Sequence, residues 1–84
     1  MQTSAVVDSI VAIVAPYLGE TMARAAARAH CEKLGINGTQ MTDAQVEALV
    51  GKLASGLAVF VGREKTSMIV QEIKRAVAAQ GGAP

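Results

Sequence analysis

Few residues in this chain carry reactive groups. His30 and Cys31 are its one histidine and one cysteine. They are adjacent, so on a helix they diverge by about 100° and do not converge on one metal ion. Cys31 lies beside a charged strip, one turn after Arg28, and a neighbouring guanidinium favours the thiolate. That makes Cys31 a candidate redox site, against the plainer expectation that a free cysteine behaves as a small buried hydrophobe. His30 falls on the apolar side. Burial there lowers a histidine's pKa and makes it a candidate pH-sensitive contact.

A second group follows Gly62: Arg63, Lys65, Thr66 and Ser67. Their position at a helix start, where backbone N–H groups are free, makes them an anion candidate. The resemblance to a phosphate loop is poor. Such a loop places lysine directly after glycine and follows a strand, whereas Glu64 intervenes here and a helix precedes. No paired carboxylates, Ser–His–Asp set or metal-spaced ligands can be assembled. The expectation is a protein without catalytic machinery, metal or cofactor.

The elements that would position these residues read as helices throughout. The chain is expected to be an all-α, compact four-helix bundle, with helices at roughly 3–14, 16–34, 43–61 and 63–79. The valines of the first segment are mediocre helix formers, so a strand is its lesser alternative. Pro16 is expected to end that helix and open the next. Gly35 and Ile36 suit a Schellman stop, and Asn37-Gly38 a turn. Thr42 and Gln45 have capping-box spacing, while Met41 and Val46 have the spacing of a hydrophobic staple. The second and third helices are expected to form a central antiparallel hairpin. Residues 1–80 read as one domain and 81–84 as a flexible tail. No internal repeat is expected.

The helix faces carry the functional expectation. Leu18, Met22, Ala25, Ala26 and Ala29 share one arc of the second helix, next to Gly19, Ala23 and Ala27 at four-residue spacing. On the opposite strip, Glu20 and Arg24 have the spacing of an intrahelical ion pair. The third helix has an apolar stripe, Val46, Leu49, Val50, Leu53, Leu57, Phe60 and Val61. Its back is small instead of charged: Ala44, Ala48, Gly51 and Ser55. Small faces let helices approach closely, so Gly19, Ala23 and Ala27 on the second helix and Ala44, Ala48, Gly51 and Ser55 on the third are the expected dimer interface. Met22 and Met41 read as core filler, and Met68 lies off its helix's apolar face.

Composition points the same way. A chain of 84 residues with a single cysteine buries a limited core and has no internal disulfide to support it. Charged residues make up 18% against a usual share of about 25%, which leaves much surface uncharged. A net charge of +1 and two aromatic residues argue against nucleic acid. Asp8 interrupts the apolar start and no basic segment precedes it, which argues against a signal peptide. No apolar run reaches membrane-spanning length. These features suggest a cytoplasmic, regulatory or scaffolding interaction module that forms a homodimer, with another protein as a further partner. The alternatives are a sensory domain for a hydrophobic ligand or anion, and a redox-responsive regulator using Cys31.

Overall fold

The computed structural model describes residues 2–81 and is all-helical. Three helices pack together: α1 (Thr3–Leu18), α2 (Glu20–Lys33) and α3 (Asp43–Gly81). The expected count of four separate helices is therefore corrected to three. The two expected after residue 43 form one element, interrupted at Gly62, where φ is 83° and ψ 169°. A straight helix of its 39 residues would be about 58 Å long. The molecule's longest dimension is 33 Å, so α3 must double back. Lys74 Nζ lies 3.9 Å from a Glu47 carboxylate oxygen. Those residues would be about 40 Å apart along a straight helix. Gly62 thus joins two arms, 43–61 and 63–81. Of the expected tail, Gly81 ends α3 and residues 82–84 lie outside the described residues.

Pro16 does not end the first helix but sits inside it. Its missing N–H leaves the carbonyl of Ala12 without a donor. Ala12 is exposed, so water can supply that bond. The reversal comes three residues later at Gly19, with φ 85° and ψ 152°. This conformation is essentially reserved for glycine. α1 is helical despite its valines because Val6, Val7, Ile10, Val11 and Val14 are all buried. Packing overrides a weak local preference.

Gly19 and Gly62 play similar parts, each joining two helices through one residue of positive φ. At the same 43-residue offset, Val6 matches Leu49, Val7 matches Val50, Ile10 matches Leu53 and Val14 matches Leu57, all buried. Tyr17 matches Phe60, and both aromatic rings are exposed. Ala23 matches Thr66, four residues past each glycine and buried in both helix pairs. The Thr66 hydroxyl donates to the Gly62 carbonyl at 2.7 Å, which satisfies a polar group that would otherwise be costly there. The correspondence stops there: Cys31 is buried, while Lys74, the same offset along, is exposed, so the two helix pairs do not amount to a repeat.

α1 is the organising helix. It packs most extensively on α2, and α2 shares the least contact with α3. The expected central hairpin of the second and third helices is corrected accordingly. The connection between them is otherwise as expected. The Ile36 N–H donates to Cys31 O at 2.8 Å and the Gly35 N–H to Glu32 O at 3.1 Å, which is a Schellman stop. The Thr3 N–H donates to Thr39 O at 2.9 Å, tying this loop to the start of α1.

The capping box at α3 is complete. The Thr42 N–H donates to Gln45 Oε1 at 2.9 Å, and the Gln45 N–H to Thr42 Oγ1 at 3.1 Å. Met41 and Val46 are both buried beneath it. Replacing Thr42 by Ala should lower unfolding free energy by about 1 kcal/mol in urea titration. An unchanged midpoint would show that the cap contributes nothing.

Candidate functional site

The small residues divide into two groups with different surroundings. Ala23 and Ala27 are 1% and 0% exposed, inside the core. Their expected place in a dimer interface is corrected: on this helix the small row is used within the chain, letting α1 and α2 pack closely across the Gly19 corner. Gly19 itself is exposed. The arc expected to face inward does so only in part: Ala26 and Leu18 are partly buried, while Ala25, Ala29 and Met22 are exposed. Met22 is therefore corrected from core filler to a surface residue. The buried face is rotated toward Ala23, Ala27 and Cys31, because α1 covers that side.

The back of the first arm of α3 is open. Ala44, Ala48, Gly51 and Ser55 are all exposed. Sequence reasoning missed that Val59 continues this row; it is 84% exposed. Ser55 Oγ donates to the Gly51 carbonyl at 3.2 Å, so its hydroxyl already has an acceptor. The strip is uncharged over its length, with Glu47 and Lys52 at its margins. A side chain at Gly51 would meet open space. Phe60, expected in the core stripe, is instead 66% exposed, while its neighbour Val61 packs partly buried against the core.

A cleft of about 750 Å³ lies elsewhere, between the start of α1, the middle of α2 and the loop that follows it. Val7, Cys31 and Ile36 give it an apolar lining. Arg24 and Arg28 also line it. Arg24 does not pair with Glu20; it reaches across to Asp8 on α1, with 3.1 Å between Nη1 and Oδ1. Both groups are substantially exposed, so the bridge contributes little stability. It nevertheless occupies one of the two guanidinium groups of the cleft.

Cys31 is 7% exposed, and burial pushes its thiol pKa up. The activation expected from Arg28 is not what the environment provides. The Arg63 to Ser67 group does not converge either. Thr66 turns inward with its hydroxyl on Gly62, while Arg63, Lys65 and Ser67 are exposed. No group of three or more His, Cys, Asp or Glu among the described residues is placed to hold a metal ion. By length and composition, α3 contains a window that could cross a membrane. The expectation that no apolar run is long enough is corrected to that extent, and 28% of the window is buried within the fold.

His30 is partly buried, and its Nδ1 is enclosed without a hydrogen-bond partner. A ring protonated only at Nε2 leaves just a lone pair unsatisfied there, which costs less than a buried N–H or a charge. Its pKa is lowered by burial first, then by the charges of Lys33 and Lys52. The unfolded chain therefore binds the proton more readily than the folded one. This contribution to stability is complete above the ordinary value of 6.5 and is lost as pH falls below it toward the folded pKa. His30→Gln should flatten the fall in Tm between neutral and mildly acidic pH. An identical pH profile in the variant would show that His30 has no part in it.

Comparison with protein-family models, with curated proteins and with solved structures gives no match to this chain.

Proposed function

We propose that this chain is a small helical interaction module that self-associates through the strip Ala44, Ala48, Gly51, Ser55 and Val59. The observation that carries this reading is the exposure of the whole strip on a helix whose other side is committed to the core. A face of small residues gains most from a partner that can approach equally closely. A second copy offers the same face, and a two-fold arrangement apposes the strip to itself. Its role is to bring chains together, as a regulator or scaffold and with another protein as a further partner. A cytoplasmic setting goes with this reading, since the one cysteine is a free thiol.

Sedimentation equilibrium tests the proposal. The protein should be a reversible dimer at micromolar concentration. Gly51→Glu should keep or raise the Tm of the dilute protein, since glutamate is the better helix former by about 0.5 kcal/mol. The same change should weaken the dimer by about tenfold or more, because it buries an unpaired charge in the seam. A wild-type monomer at every concentration, or a dimer indifferent to Gly51→Glu, would refute it.

A second reading is favoured by the cleft, which combines an apolar lining with Arg28, for which no ion-pair partner lies within 4 Å among the described residues. It suits an amphiphilic anion whose acid group meets the guanidinium and whose chain lies against Val7, Cys31 and Ile36. Calorimetric titration with octanoate should show saturable binding, weakened about tenfold by Arg28→Gln. No heat of binding, or equal binding by the variant, would dispose of this reading.

A further inference from the structure

The two arms of α3 are joined by Gly62 alone. Its backbone lies where only glycine is comfortable, and no atom surrounds the position of a missing Cβ. Gly62 is the residue whose backbone departs from helical geometry inside α3, so the doubled-back and the continuous helix differ in backbone at this one corner. Straightening would also give the backbone groups at the corner their helical partners. The last carbonyls of the first arm and the first free N–H groups of the second would then face each other.

A straight α3 could not bury both arms against its own body. On one continuous wheel, Leu49, Leu53 and Leu57 centre about 160° from Ile69, Ile73 and Val77. All six are buried in the doubled-back form. Straightened, the first arm would keep its place in the core, and the second would turn its apolar face away from that body. The surface matching it is the groove on α1 of another molecule, vacated by the same movement. Gln80, which bonds to Ala5 O and Ser9 Oγ on α1, would find the same acceptors there.

We propose that Gly62 is the hinge of an arm-exchanged dimer, in which residues 63–81 of each copy pack on α1 of the other. Every core contact of the monomer is kept, and one reversal per chain is replaced by helix. Concentration and the conformational preference of residue 62 then set the balance. The exchange does not depend on the exposed strip of the first arm. It therefore stands or falls separately from the interface proposed there.

The test uses the full chain labelled with nitroxides on cysteines at 47 and 74, with Cys31→Ala and an excess of unlabelled protein, so that only intrachain distances are read. Refolding at high concentration should give a slowly dissociating dimer with about 40 Å between the two sites. The monomer should show the short distance implied by the Glu47–Lys74 contact. Gly62→Ala should shift the equilibrium toward dimer by at least about tenfold, because alanine is strained in the corner and favoured in the helix. Gly62→Ala/Gly51→Glu should remain dimeric, which separates exchange from association by the strip. If Gly62→Ala does not fold, a Gly-Ser-Gly insertion after Gly62 should abolish the long-distance dimer of the parent chain. A short distance in every dimer, or an unlinked long distance in monomeric protein, overturns the proposal.

Discussion

The structure depends on two glycines that reverse the chain within a single residue. An all-helical chain of this size builds a core only by folding its helices back, and long loops would consume residues it needs for packing. At Gly19 and Gly62, a positive φ with an extended ψ brings successive helices together at once. The helix faces must then agree with the corner geometry. Residues four past each glycine, Ala23 and Thr66, are buried. One is small and the other returns its hydroxyl to the glycine carbonyl. The corners therefore set which residue types can follow them.

Much of this was legible where a local motif has a backbone consequence. The capping box at Thr42, the staple beneath it and the Schellman stop at Gly35 all rest on hydrogen bonds or contacts between near neighbours. Gly62 was also recognisable as the end of a helix. Pro16 misled because its effect depends on context: the carbonyl it deprives faces solvent, and burial of the flanking valines outweighs the defect. Gly19 is the real reversal, but it sat among small residues that read as one face. Arg24 is similar. Its spacing from Glu20 suggests an intrahelical pair, yet Asp8 becomes a neighbour only after the chain has turned.

The candidate sites were less legible than the fold. Small residues at four-residue spacing occur on both α2 and α3, and the spacing alone cannot separate a core seam from an open surface. α1 decides it by covering Ala23 and Ala27 while leaving Ala44, Ala48, Gly51 and Ser55 exposed. Cys31 has a guanidinium nearby in sequence, but desolvation sets its thiol. The cleft is assembled from the start of α1, the middle of α2 and the loop beyond it. No periodicity in one segment could foretell such a place.

The single-residue corners also bear on how the chain reaches its structure. Closing a helix pair through one residue costs little loop entropy, so each unit can form from contacts close in sequence. Docking one unit on the other is the long-range step, and α1 must receive both α2 and the second arm of α3. Early helix pairs with a later, order-determining assembly follow from that arrangement. Folding speed in this protein is then governed less by how fast helices form than by how soon α1 is fully covered.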